Sequence, residues 1–155
     1  MGLERFRRAQ DGVWSGYQTA LEEIRSGRKT SHWIWYIFPQ IAGLGRSSTA
    51  QQYALVDLAE ACAYLQDATL RARYEEMAAE VSSQLNKGVR VEVLMGGSID
   101  ALKLASSLTL FRAAASRLAE QDSGFEALAQ RCDGLLRQMA PQGYAACSLT
   151  LEKLH

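Results

Sequence analysis

The residues best able to do chemistry crowd into one stretch. Arg28-Lys29-Thr30-Ser31-His32-Trp33-Ile34-Trp35-Tyr36-Ile37-Phe38-Pro39-Gln40 holds two of the three tryptophans, one of the two histidines and one of the two prolines. An imidazole titrates near neutrality, so His32 is a candidate acid or base; a core histidine bonded to a backbone carbonyl fits the sequence equally well. Trp33 or Trp35 could stack on a nucleobase, although aromatics at this spacing also build cores. Lys29, Ser31 and Gln40 supply polar contacts around them. Gly43-Leu44-Gly45-Arg46-Ser47-Ser48 follows directly. A glycine-bearing loop entering a helix offers free amides to an anion, here around Gly45 and Ser47, with Arg46 available to pair with phosphate.

A second constellation lies between Asp100 and Phe111. Asp100, Lys103, Ser107 and, less closely, Ser106 fall near one helical face, and Leu104, Leu108 and Phe111 fall on the apolar face beside it. Lys103 beside Asp100 is a candidate electrophile or nucleophile. Three hydroxyls within four residues suit hydrogen bonding, or close helix packing through small residues.

Helical elements must position both groups. Val13, Tyr17, Leu21 and Ile24 repeat at helical steps after Asp11, predicting a helix over 11–26 that stops at Gly27. A helical region opens at Ser48 or Thr49, with Asp57 and Asp67 as further caps, and continues to Gly88. Thr30 or Ser31 could cap a helical turn carrying Trp33, Ile37 and Ile41 on one face and ended by Pro39; an alternating strand over 33–37 stays open. Strand and helix also compete over 89–94. Helices from Ser98 to about Leu118 and from Asp122 or Ser123 to Met139 follow, stopped by Pro141 and Gly143, with a final short helix over 148–154. The expected fold is mainly α, a single domain over 1–155 of about six helices with at most a minor β element.

Seventeen basic and seventeen acidic residues cancel, so no net field favours a nucleic-acid backbone or an anionic membrane. The cluster Arg5, Arg7 and Arg8 is read as a solvated helix face. Cys62, Cys132 and Cys147 sit in Ala/Leu-rich pattern like small buried thiols of a reducing compartment, and none of them pairs at metal-site spacing. Without an apolar leader or a spanning run, the expected location is cytoplasmic. No motif implies a cofactor or a metal, and His155 is set aside as terminal.

Arg5-Phe6, Ala9-Gln10-Asp11, Gly27-Arg28-Lys29, Ser31-His32-Trp33, Phe38-Pro39-Gln40, Gly43-Leu44-Gly45-Arg46-Ser47, Tyr53-Ala54, Ala59-Glu60-Ala61, Ala63-Tyr64-Leu65, Asp100 with Leu102-Lys103-Leu104, Ser106-Ser107 and Thr109-Leu110-Phe111 together resemble a bacterial domain-of-unknown-function family, number eighteen-ten, some of whose members carry the label calpastatin. The likeness is weaker after Gly134 and brings no reaction with it. Thr30-Ser31-His32-Trp33 is more distantly similar to the NADAR superfamily, which acts on N-glycosidic bonds of ADP-ribosyl or phosphoribosyl compounds. That pattern's glutamate before the histidine and its later lysine are missing here, so its catalytic roles do not transfer. The expectation from residues and resemblance together is a domain recognising a small nucleotide-like or ribosyl-phosphate ligand, with hydrolysis of an N-glycosidic bond as a further step. Its alternative is a non-catalytic module on which a protein partner docks.

Overall fold

A computed structural model of the chain describes residues 2–154, and over these the helical period prevails. Ten α-helices follow in order: α1 Glu4–Gln10, α2 Tyr17–Arg25, α3 Ile34–Ile37, α4 Ser48–Tyr53, α5 Leu58–Gln66, α6 Ala68–Asn86, α7 Val91–Leu94, α8 Ser98–Ala119, α9 Glu126–Met139 and α10 Ser148–Glu152. The count exceeds six because α3, α4, α7 and α10 have only four to six residues each; the remaining six are the longer helices. Single 3-10 turns lie at Ser123–Phe125 and Ala140–Gln142. The β content among the described residues is one parallel bridge between Ile41 and Leu55.

Helix α8 runs through the middle. Residues 104–111 are buried on every side, which removes the polar face expected there. A helix apolar or small all round belongs at the centre, and alanines at 101, 105, 114 and 115 let α5 and α9 approach it closely. Polar residues in this run satisfy themselves: Thr109 Oγ1 donates to the Ala105 carbonyl at 2.7 Å, Ser106 Oγ to the Leu102 carbonyl at 3.1 Å, and Ser107 Oγ pairs with Tyr74 Oη at 2.9 Å. Around it, Phe6, Phe38, Tyr64, Tyr74 and Phe111 form a chain of tilted and edge-to-face rings.

Asp57 and Asp67 cap α5 and α6, accepting from the amides of Glu60 at 2.9 Å and Leu70 at 3.0 Å. The helix expected over 11–26 breaks in two. Asp11 closes α1, the chain turns through 12–16, and Val13 and Trp14 end 85% and 88% exposed. Gly16 explains the break, because a Cβ there would lie 2.1 Å from the Gly12 carbonyl oxygen. Within 89–94 the helix takes Val91–Leu94, and within 33–37 Ile34–Ile37 forms a helical turn rather than a strand. Neither Thr30 nor Ser31 caps that turn; Trp33 occupies the cap position, and its side chain makes no capping bond to the turn. The N-terminal arginines are engaged rather than free: Arg5 donates to the Gln52 and Ala54 carbonyls, Arg7 pairs with Asp67, and Arg8 with Glu4.

Candidate functional site

Glu23, on α2, organises the first half of the site. Its carboxylate accepts from the amides of Thr30 at 2.8 Å and Ser31 at 2.9 Å, from the Ser31 hydroxyl, and from Trp33 Nε1 at 2.9 Å. Burial alone would raise the Glu23 carboxyl; the four bonds outweigh it and bring the group from 4.5 down to about 2. This clamp fixes the path of 30–33, and the next contact upstream fixes Lys29. The Lys29 amide donates to the Leu94 carbonyl at 2.7 Å. Gly96, at φ 76°, lets the Lys29 carbonyl come within 2.7 Å of where a Cβ would sit.

Lys29 is thereby delivered to the first turn of α8. Its side chain is 5% exposed, and Nζ lies 2.7 Å from Asp100 Oδ2 and 2.6 Å from the Ser31 carbonyl, and 4.9 Å from the centroid of the Trp33 ring. One turn along, Lys103 Nζ lies 3.8 Å from Asp100 Oδ1 and 5.0 Å from the Trp35 ring centroid. Two ammonium groups share one carboxylate, so the cluster keeps a unit of positive charge. Trp35 Nε1, buried beside it, has no hydrogen-bond partner among the described residues.

Lys103 is also where this cluster meets open space. A cleft of about 520 Å³ runs between Gln40, Leu44 and Gly45 on one side, Leu102, Lys103, Ala105 and Ser106 of α8 on another, and the 143–149 tail on the third. A small recess beside Trp35 adjoins it through Gln40 and Gly45. The tail is tied down: Gln142 Oε1 accepts from the Val91 amide at 2.8 Å, Tyr144 bonds Glu92, and the Cys147 amide donates to Thr109 Oγ1 at 2.9 Å.

Among the residues singled out in the sequence, Asp100, Lys29, Lys103 and Trp35 come together, and Gln40, Gly45, Lys103 and Ser106 line the cleft. The others have different duties. Trp33 is fully buried and bonded to Glu23, so it presents no face for a base to stack on. Ser31 is taken up by Glu23. Ser47 caps α4, accepting from the Ala50 amide at 3.1 Å. His32 is exposed, and neither buried nor in the cleft. Arg46 is exposed on the loop next to Gly45 and makes no ion pair among the described residues. Ser107 belongs to the core with Tyr74. Ser107→Ala should therefore cost about 1 to 2 kcal/mol of stability in a denaturant titration, by leaving the Tyr74 hydroxyl unpaired, and should leave any ligand affinity unchanged.

The tail wall went unnoticed in the sequence. Cys147 is half-buried and lines the cleft, whereas the expectation for all three cysteines was burial; Cys62 and Cys132 meet it. Glu23 was missed as well, because its partners are backbone amides and an indole, which leave no trace in residue spacing.

Comparison with solved structures finds a crystal structure of the conserved hypothetical protein Rv1873 from Mycobacterium tuberculosis, 37% identical, with a TM-score of 0.80 over 98% of this chain and 95% of that one. Comparison with curated proteins finds no match. The model of the DUF1810 family, proteins of unknown function, matches residues 1–140, which takes in the Lys29–Asp100–Lys103 cluster and two walls of the cleft and leaves out the third. The chain belongs to the DUF1810 family.

Proposed function

We propose that the cleft binds a small anionic ligand of the nucleotide or ribosyl-phosphate kind. The observation that carries this reading is the charge at Lys103. Its ammonium stands on the cleft wall next to a second, buried ammonium, with a single carboxylate between them, and no carboxylate is among the residues lining the cleft. A phosphate entering there gains a charge-assisted bond without facing a like charge. Leu44, Leu102 and Leu149 add apolar surface suited to the flat face of a base or sugar, and about 520 Å³ is the size of a typical small-molecule site. Arg46 and the Gly45 amide stand on the loop at one side of the cleft and would meet a second phosphate.

Cleavage of an N-glycosidic bond has less support than binding. Asp100 is held between two lysines and is not a cleft-lining residue, and His32 lies on the surface elsewhere. A docking role for a protein partner is favoured by one observation: Leu102 and Leu149, on the cleft wall, are 55% and 56% exposed, and Ile99 on the same helix is 70% exposed.

Thermal melting with ADP-ribose, NAD and ribose 5-phosphate separates these readings. A ligand at a hundred times its dissociation constant adds about 2.7 kcal/mol. For a chain of this size that is a rise of roughly 5 to 11 °C. No rise with any of the three at millimolar concentration rejects nucleotide recognition, and chromatography of the incubated ligands shows whether a free base or nicotinamide is released.

A further inference from the structure

Trp33 and Trp35 stand two residues apart with opposite fates. The Trp33 indole N–H has the Glu23 carboxylate as its acceptor, whereas Trp35 Nε1 is buried and has no acceptor among the described residues. A buried donor without a partner is costly, and this one belongs to a side chain that lines open space. That space is the recess beside the cleft, which Trp35 shares with Gln40, Gly45, Ala50 and Tyr53. It measures about 10 Å³, room for one oxygen atom of the size of a water and too little for a ring or a phosphate. Gly45 keeps it open. The Gly45 backbone is outside the left-handed region, so space alone calls for glycine there: a Cβ would lie 2.6 Å from Ala50 Cβ. Gln40 and Gly45 line the cleft as well, which joins the recess to the space where Lys103 stands. The Gln40 carbonyl accepts from the Leu55 amide at 2.9 Å, while its side-chain amide has no partner among the described residues.

We propose that the recess is a hydroxyl subsite of the cleft: a sugar hydroxyl of the ligand enters it, accepts from Trp35 Nε1 and donates to Gln40 Oε1, while the phosphate of the same molecule pairs with Lys103. The subsite rests on the ribosyl-phosphate reading above and adds the group by which the cleft tells a sugar phosphate from a bare phosphate. An indole N–H only donates, so it calls for an oxygen lone pair. A hydroxyl supplies one, and the proton that it must place in turn meets the Gln40 amide oxygen. Lys103 Nζ stands over the Trp35 ring, 5.0 Å from its centroid, whereas the N–H lies in the ring plane, so the two donors serve different atoms of one ligand. A phosphate on the ammonium and a hydroxyl several ångströms away on the same small sugar satisfy both, and the size of the recess keeps the phosphate out of the hydroxyl's place. A ligand without the hydroxyl leaves the buried N–H unpaired, which is how a site built to bond a hydroxyl rejects an analogue that lacks it.

In protein with isotope-labelled tryptophan, three indole N–H resonances, one per tryptophan, report the contact directly. Trp14→Phe, at an exposed position, removes one, and Glu23→Gln moves that of Trp33, which leaves the third as Trp35. Saturating ribose 5-phosphate should move the Trp35 proton downfield, as a new hydrogen bond does, and inorganic phosphate should not. In calorimetric titration the wild type should bind ribose 5-phosphate more tightly than inorganic phosphate, and Trp35→Phe and Gln40→Leu should each narrow that preference about 3- to 10-fold, the contribution of one neutral hydrogen bond. If a variant fails to fold, the wild-type resonance decides. A Trp35 resonance that stays in place while ribose 5-phosphate binds, equal affinity of the wild type for the two compounds, or a preference that survives in either variant overturns the subsite and leaves phosphate binding at Lys103 standing. Failure of the wild type to bind either compound overturns the subsite together with the reading on which it rests.

Discussion

Glu23→Ala should lower the melting temperature by roughly 6 to 12 °C, through about 3 kcal/mol of stability in a chain of this size. Trp33 is fully buried, and without the carboxylate its indole N–H loses the acceptor at 2.9 Å. An orphaned buried donor costs about 1 to 3 kcal/mol. The Thr30 and Ser31 amides are nearer solvent and lose less, but both release the turn that holds Lys29 against Leu94 and Asp100. The same residue also sets a pH dependence. Its folded value of about 2 lies below the ordinary 4.5, so its contribution is full above 4.5 and is lost as the pH falls toward 2. Melting curves of wild type and Glu23→Gln should thus differ most near neutrality and converge between pH 4.5 and 2. A constant gap across that window would assign the bonds to the side chain's shape rather than its charge.

How much of this was legible in the sequence depends on the kind of interaction. Asp57 and Asp67 announce α5 and α6 because a cap is a local event, complete within four residues. The central position of α8 was hidden, because Ser106, Ser107 and Thr109 imitate a polar face while bonding back to their own helix or to Tyr74. The break after Asp11 was hidden for another reason. Val13 keeps the helical period by coincidence, and the close approach of two carbonyls to Gly16 is a fact of space. The aromatic stretch stands out in the sequence, yet Trp33 serves the core, and the proposed ligand contact falls to Lys103, which the sequence placed beside Asp100. The tail escaped because Gly143, Ala145 and Ala146 shape the cleft with backbone and small side chains, which carry no chemical signal of their own.

Lys103→Ala should weaken binding of a ribosyl-phosphate ligand about 10- to 100-fold while leaving the fold in place. A bond from an ammonium to a phosphate contributes about 1.5 to 3 kcal/mol, and each 1.4 kcal/mol is tenfold in affinity. The cost to stability is small: Lys103 is 25% exposed, its contact with Asp100 is long at 3.8 Å, and pairs of that kind contribute about 0 to 1 kcal/mol. Lys29→Ala should behave in the opposite way. Its ammonium is buried and bonded to both Asp100 and the Ser31 carbonyl, so its removal leaves a carboxylate short of its main partner, at a cost of about 3 kcal/mol. Arg46→Ala, at an exposed position, should change stability by no more than about 0.5 kcal/mol and affinity by less than Lys103→Ala does. Calorimetric titration with ADP-ribose beside thermal melts of the three variants reads both quantities. If Lys103→Ala binds as wild type does, the positive charge on the cleft wall has no ligand to meet, and the exposed leucines 102 and 149 mark the cleft as a protein-docking surface instead.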